Sequence, residues 1–406
     1  MKIEDNPKVS IIIPAHNGSN YLEQAIDSAL RQTYENVEVI VVNDGSNDEG
    51  ATEKIAKYYG DRIRYFHKEN GGVASALNFG IQKMTGSYFS WLSHDDLYEK
   101  TKIEDQVRLA LSLQTDNTII VCNARVLFQN GIKKKGLIDK KTFKYFDIFL
   151  AISADVGING CTLLIPKKAF VESGGFDVNL PVTQDYDLWF RLSHTYKYKF
   201  VLLEKNLVVY RRHDEQDSVK KQQMCLEAAD DLHYEILDNV DYEQFKNYLL
   251  DDKANTKYIW RNYNLYKTRG YKKTASMMLK SILRYYYEND LEKFYRIYDS
   301  EIGTSIGYGH TSSRGTRRRT IFRRRSESTN KARQRMILEY EELLSSGTND
   351  YPIQESSSAN KSLHTRTGIR GKFRRFDESI NRDGMYLTGE KIIRRVHAKV
   401  TKNKRQ

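Results

Sequence analysis

The stretch VSIIIPAHNGSNYLEQAIDSALRQTYENVEVIVVNDGSND, residues 9–48, decides the fold. It opens on the β-branched run Val9-Ser10-Ile11-Ile12-Ile13 and ends on a second one, Val37 to Val42, with a helical pattern from about Tyr21 to Gln32 between them. Strands that are apolar on both faces and separated by helices predict parallel βαβ units under helical cover. The same alternation continues outward. Strands are predicted at Ile63-Arg64-Tyr65-Phe66 and Tyr88-Phe89-Ser90-Trp91-Leu92, with helices over Glu49 to Tyr59 and Val73 to Met84. A helix over 100–113 leads into a strand over Thr118 to Phe128, which turns at Gln129-Asn130-Gly131. Helical and strand pieces then alternate to about Tyr210, and 219–300 reads as Tyr- and Lys-rich helix. Gly270-Tyr271 followed by Ala275 and Leu279 has the look of one helical hairpin, and one such unit does not make a repeat array.

Composition narrows the function classes. With 406 residues, 39% hydrophobic and 29% charged, the chain has ample core for one large domain and a smaller one. No apolar run approaches the roughly 20 residues of a membrane span, and Met1-Lys2-Ile3-Glu4-Asp5-Asn6 has no apolar leader, so a cytoplasmic location is expected. Cys122, Cys161 and Cys225 form no Cys-x-x-Cys pair, so reduced thiols are expected rather than disulfides or a zinc site. The net charge of +12 is lopsided. Residues 301–406 hold 24 Lys and Arg against 11 Asp and Glu, which leaves 1–300 close to neutral. The tail contains Arg317-Arg318-Arg319 and Arg323-Arg324-Arg325, and Ile392, Ile393, Val396 and Val400 stand at helical spacing among Arg394, Arg395 and Lys399. A basic amphipathic helix of this kind points to an anionic membrane surface or anionic partner; a solvated, partly disordered tail with short helices is the other reading. Few aromatic residues interleave its basic ones, so no nucleic acid is expected as a partner.

The predicted strand ends carry the chemistry, since open α/β sheets bind ligands at the carboxyl ends of their strands. The first is followed by Pro14-Ala15-His16-Asn17-Gly18 and the second by Asn43-Asp44-Gly45-Ser46. A carboxylate at such an end can accept hydrogen bonds from a base or ribose, although Asn-Asp-Gly alone also reads as a turn. The strand at Tyr88 ends in Ser93-His94-Asp95-Asp96. Adjacent carboxylates suit Mg²⁺ or Mn²⁺ beside a diphosphate, and the alternative for Asp95-Asp96 is a cap on the 100–113 helix.

Taken in order, the run at 9–48, NGGVASALNFGI at 70–81, GSYFSWLSHDD at 86–96, GGFD at 174–177 and QDYDLWFRL at 184–192 resemble the family 2 glycosyltransferases. The resemblance covers roughly residues 8–215 and implies the α/β GT-A fold, a Rossmann-like, mixed but mainly parallel sheet with helices on both faces. It divides the chain into a catalytic domain over 1–218, a helical region over 219–300 and the basic tail over 301–406. By the resemblance, Asp44 contacts the nucleotide, Asp95 ligates the divalent metal with His213 as a further candidate, and Asp185 is the base that deprotonates the acceptor hydroxyl. Pro14, His16, Asn17, Asn70, Gly72, Asn78, His94 and Asp96 complete the implied nucleotide-sugar site. Three positions depart from the family pattern. Ser93 replaces the first Asp of Asp-x-Asp, Gln184 replaces the acid before the base, and Leu77 stands where an Arg is often found.

These residue types predict a single displacement in which the metal, Mn²⁺ or Mg²⁺, acts as Lewis acid and Asp185 as base. With no second carboxylate nucleophile, the anomeric centre is expected to invert. The expected partners are a nucleotide-diphosphate sugar, a UDP-sugar first, and a cell-surface glycan or lipid-linked acceptor. A peripheral place on the inner face of the cell membrane would follow if the tail docks there. The competing class is a non-catalytic binding protein of the same fold whose basic tail engages membrane or nucleic acid. A sugar nucleotidyltransferase is disfavoured by the missing Gly-rich, Arg-containing loop, and a processive synthase by the missing spans and Gln-x-x-Arg-Trp element. Arg191, one helical turn beyond Asp187, is predicted to form a structural ion pair.

Overall fold

The computed structural model describes residues 5–128, 131, 133–134, 138, 143, 158–180, 182–240, 242–251, 253–302, 333–342 and 344–345. The expected tail helix at 390–400 and most of the segment 131–157 lie outside them. The chain divides into two compact units that part between Leu232 and His233. The sequence reading ends the first domain at 218; the division falls further on, inside the helix Gln222–Asp238.

In the first unit, strands β1 (Val9–Ala15), β2 (Val37–Asp44), β3 (Arg64–Lys68) and β4 (Tyr88–Trp91) alternate with helices α1 (Leu22–Leu30), α2 (Ala51–Tyr58) and α3 (Gly72–Lys83). They are followed by β5 (Leu97–Tyr98), α4 (Lys102–Ser112), β6 (Thr118–Phe128), β7 (Lys133–Lys134), β8 (Leu163–Pro166), α5 (Lys167–Ser173), α6 (Gln184–Phe190) and β9 (Lys199–Arg212). The sheet order is β3-β2-β1-β4-β8-β6-β9-β5, with β7 beside β6. Parallel pairing joins β3, β2, β1 and β4 and again β6 and β9; β8 and β5 run antiparallel to their neighbours. Every residue of β1 is buried, as a strand covered on both faces must be. The chain winds from β1 out to β3 and then crosses back over β1 to β4. The crevice beyond the carboxyl ends of β1 and β4 is therefore a topological switch point, the place where such sheets take ligands.

Two local features hold the helices on this sheet. Helix α1 buries Leu22, Ala25, Ile26 and Ala29, the i, i+3, i+4, i+7 stripe of an amphipathic helix. Helix α3 comes so close to β1 that a Cβ on Gly80 would lie 2.5 Å from Ile12 Cγ2. Only glycine allows that approach.

Glu38 is the one acid within the apolar run of β2, and the structure accounts for it. Its carboxylate accepts from Ser10 Oγ at 2.5 Å, Thr85 N at 2.6 Å, Thr85 Oγ1 at 2.9 Å and Arg64 Nη1 at 2.7 Å. Burial pushes its pKa up, but the bonds from Ser10, Thr85 and Arg64 outweigh burial and bring it down to about 2. A carboxylate whose folded pKa is depressed stabilises the fold above its unfolded pKa and loses that contribution as pH falls through the folded value. Unfolding free energy is therefore expected to fall between pH 4.5 and about 2. Glu38→Gln should lower stability at neutral pH and flatten that slope in acid denaturant titrations; an unchanged slope would remove Glu38 as its cause.

The second unit contains helices α9 (Tyr242–Asp251), α10 (Lys253–Arg269), α11 (Lys272–Asn289) and α12 (Leu291–Glu301), entered through α7 (Asp217–Lys220) and α8 (Gln222–Asp238). The expected hairpin at Gly270 is the α10–α11 turn, where Gly270 has φ +80°. The tyrosines of this region form its core: Tyr263, Tyr266, Tyr286, Tyr298 and Tyr340 are all buried. Tyr263 OH and Lys267 Nζ each donate to Glu301 Oε2 at 2.6 Å. No helix of the described residues is long and apolar enough to cross a membrane.

Candidate active site

At the end of β2, Asp44 is 3% exposed and fully engaged. Its carboxylate accepts from Lys68 Nζ at 2.6 Å and from the backbone N–H groups of Gly72 at 2.8 Å and Gly71 at 3.2 Å. Asn70 Nδ2 donates to the Asp44 carbonyl at 2.9 Å. The structure thus brings together three of the sequence candidates, Asp44, Asn70 and Gly72, and adds Lys68, whose position at the end of β3 carries no motif. Gly45 has φ +67°, and a Cβ there would lie 2.5 Å from Asn70 N, so this turn also requires glycine.

The loop after β1 is tied to the loop after β2. Asn17 N donates to Ser46 Oγ at 3.0 Å, its Nδ2 donates to Asn47 Oδ1 at 2.7 Å, and its Oδ1 accepts from Asn47 N at 2.9 Å. Gly18 N donates to Thr52 Oγ1 at 2.9 Å, and Thr52 Oγ1 donates to Asp48 Oδ2 at 2.6 Å. Asn17 thereby works as a brace between the two loops. Pro14 is buried inside β1 and paired with Val42, whereas His16 is exposed.

The turn after β4 forms the centre of the site. Asp95 Oδ2 lies 3.1 Å from His213 Nε2, and the Gln216 amide donates to the same oxygen at 3.3 Å. Two candidates 118 positions apart in sequence are therefore in contact. Around them, the Tyr21 ring centroid is 5.2 Å from that of His213, and the Arg211 guanidinium carbon is 4.5 Å from the Tyr21 centroid. His94 packs over Gly18, where a Cβ would meet its ring at 2.8 Å. Burial, only partly offset by the charge of Asp95, holds the His94 pKa below the usual imidazole range.

Asp96, expected beside Asp95 at the donor, points inward instead. It is 1% exposed; Oδ1 accepts from Arg211 N at 2.9 Å and Oδ2 from Cys161 Sγ at 3.4 Å. Burial, and then the neighbouring Asp95 charge, push its carboxyl well above the usual range. Asp96 ties the β4 turn to β9 and to the Gly160–Thr162 turn. Asn78 likewise has another task. Its Nδ2 donates to Phe176 O at 2.8 Å and its Oδ1 accepts from Phe176 N at 3.0 Å, so both halves of the amide hold the GGFD loop. Asn78→Ala is expected to lower stability by about 2 kcal/mol and to leave nucleotide affinity unchanged. A selective loss of nucleotide binding in calorimetry would return Asn78 to the site.

Asp185 stands in the first turn of α6, partly exposed, with Oδ1 accepting from Tyr186 N at 2.9 Å. Burial of the carboxyl group lifts its pKa to about 6, and among the described residues no cationic side chain pairs with it. Below it, Trp91 at the end of β4, Phe176 and Trp189 form an aromatic chain with centroid separations of 6.1 and 6.0 Å. This chain links the strand that leads to Asp95 with the helix that carries Asp185. Arg191 forms the expected ion pair with Asp187 at 2.7 Å and also donates to the carbonyls of Ser173 and Gly175. Sequence reasoning missed Lys68, Tyr21, Arg211 and Gln216. Only Arg211 carried a local signal, in the run Tyr210-Arg211-Arg212-His213.

A model of glycosyl transferase family 2 matches residues 10–170. An uncharacterized glycosyltransferase of Rickettsia bellii is 50% identical over 222 residues, 53% of this chain and 31% of the relative. Chondroitin synthase of Pasteurella multocida is 29% identical over 302 residues, 68% of this chain and 28% of that protein. The chain spans about a third of the length of these two relatives. A solved structure of S. aureus TarS residues 1–349 in complex with UDP-GlcNAc covers 72% of this chain and 86% of its own at 14% identity, with a TM-score of 0.48. The matched residues 10–170, which contain β1 to β4 and the turn that bears Asp95, are those of a glycosyl transferase family 2 domain.

Proposed function

We propose that the protein is an inverting glycosyltransferase that moves one sugar from a nucleotide-diphosphate sugar to a hydroxyl group of a glycan or lipid-linked acceptor. The observation that carries this reading is Asp185, a carboxylate with no cationic partner among the described residues and a pKa raised to about 6 by burial. A general base needs a basic oxygen that holds no ion pair and is still ionised at neutral pH. In the proposed reaction the acceptor oxygen bonds to the anomeric carbon and its proton passes to Asp185. The bond from that carbon to the diphosphate breaks, and its electron pair leaves with the nucleotide. Attack from the face opposite the leaving group inverts the centre.

A divalent ion fits Asp95 and His213. Their oxygen and nitrogen lie 3.1 Å apart, about the spacing of adjacent ligands around an octahedral ion with bonds of roughly 2.1 Å. The pair is joined by no further acid, His or Cys in a three-ligand cluster among the described residues. Such an ion would take its other oxygens from the diphosphate and water. When bound, Mn²⁺ or Mg²⁺ supplies Lewis-acid stabilisation of the leaving diphosphate. Asp44, with both oxygens taken by Lys68 and the amides of Gly71 and Gly72, fixes the turn at which the nucleoside would bind. The similarity to chondroitin synthase and hyaluronan synthase of Pasteurella multocida supports a glycan acceptor.

The test is thermal unfolding and nucleotide release with a panel of nucleotide sugars, UDP-sugars first, with and without Mn²⁺. A ligand that binds only the folded state raises Tm with concentration. At least one donor is expected to raise Tm and to release its nucleoside diphosphate in Mn²⁺. A panel without any response would overturn the reading.

A further inference from the structure

We infer that Arg211, stacked on Tyr21, supplies the positive charge that receives the donor's diphosphate, in place of the arginine absent at Leu77. The inference rests on the glycosyltransferase reading and adds a binding residue to that site. Its starting point is the pairing of the cations near the strand ends. Lys68 is bound to Asp44 and Arg191 to Asp187. Arg211 forms no ion pair with a carboxylate among the described residues, and its Nε is buried without a hydrogen-bond partner. Its Nη2 donates only to the neutral Gln24 Oε1, at 2.5 Å.

The guanidinium is also held in place. Tyr21, at the N-cap of α1, carries it on its ring at 4.5 Å, and Gln24, in the first turn of α1, holds one edge. At the backbone, Arg211 N donates to Asp96 Oδ1 at 2.9 Å, and its carbonyl accepts from Gln216 Nε2 at 2.8 Å. Gln216 in turn reaches Asp95, and Tyr21 packs on His213. The cation is thus built into the shell around the Asp95–His213 pair. Strand alternation sends Arg212 to the opposite face of β9, so Arg211 alone of the two shares this shell.

Charge explains why it is needed. A nucleotide-diphosphate sugar brings two negative charges and Asp95 a third, of which a divalent ion balances two. One positive charge is missing, and a planar guanidinium that holds no carboxylate is suited to phosphate oxygens. The aromatic ring below it fixes the fork and lowers the entropy lost on binding.

The test compares the parent with Arg211→Gln and Arg211→Lys in Mn²⁺, using calorimetry with UDP, GDP, TDP and each matching nucleoside. The parent is expected to bind at least one nucleoside diphosphate. Arg211→Gln should weaken that diphosphate about 10- to 100-fold and leave the nucleoside unchanged, while Arg211→Lys should restore part of the loss. Equal diphosphate affinity in the parent and Arg211→Gln would overturn the role of Arg211 and leave the glycosyltransferase reading intact. A parent that binds none of the diphosphates would overturn that reading and this inference with it. If Arg211→Gln does not fold, Arg211→Met, which keeps the apolar stem without the charge, takes its place, and parental diphosphate affinity in that variant overturns the role of Arg211.

Discussion

Asp185→Asn is expected to lower sugar transfer by about 10² to 10⁴ while donor affinity stays at the parental value. The amide keeps the shape and the bond from Tyr186 N but cannot take a proton. Two further readouts separate a base from a merely structural acid. First, the parent's kcat/KM should rise with pH up to about 6 and level off above it, since only the ionised form accepts the proton. Second, the raised pKa carries a stability signature. A folded state that binds a proton more tightly than the unfolded chain loses stability as pH rises from about 4 to 6. Asp185→Asn should therefore raise Tm at neutral pH, as expected where a site trades stability for function. A variant that transfers sugar at the parental rate would exclude Asp185 as the base.

The second large effect is expected at Asp95. Asp95→Ala removes one of the two donors of the Asp95–His213 pair, and turnover should fall by about 10² to 10³, the several kcal/mol that a metal ion contributes to such a transition state. Added Mn²⁺ should not restore it. Asp95 forms part-buried hydrogen bonds to His213 and Gln216, and its removal also relieves the like charge beside Asp96, so Tm should change little. His213→Ala should lower turnover in the same direction but less steeply and raise the Mn²⁺ concentration required, because the charged ligand remains. Full activity of Asp95→Ala, or of the parent in excess chelator, would remove the metal from the account.

How much of this was legible in the sequence follows from which forces are local. The strands at Val9, Val37 and Tyr88 could be read because parallel strands buried on both faces leave unbroken apolar runs, and the intervening helices were placed to within a few residues. Asp44, Asp95 and Asp185 could be singled out as candidates because they stand in motifs that resemble those of the family 2 glycosyltransferases. What a side chain touches is set by tertiary neighbours, and there the reading fell short. The amide of Asn78 is occupied by Phe176, 98 positions away, and Asp96 is drawn inward by the Arg211 N–H, 115 positions away. Neither partner leaves a trace near the motif. Glu38 broke the apolar pattern of β2, but nothing local named Ser10, Thr85 and Arg64 as the groups that satisfy it. The contact of Tyr21 with Arg211 depends on β9 returning beside the start of α1, a consequence of sheet order rather than of either sequence segment.

The central claim is a single displacement with one base and no covalent sugar–enzyme intermediate. Proton NMR of the anomeric signal during turnover of an α-linked nucleotide sugar tests it most directly, with the parent enzyme in Mn²⁺ and either an acceptor glycan or water as nucleophile. The account predicts that the first product to appear is the β-anomer, before any mutarotation. An α-anomer as the first product would contradict it.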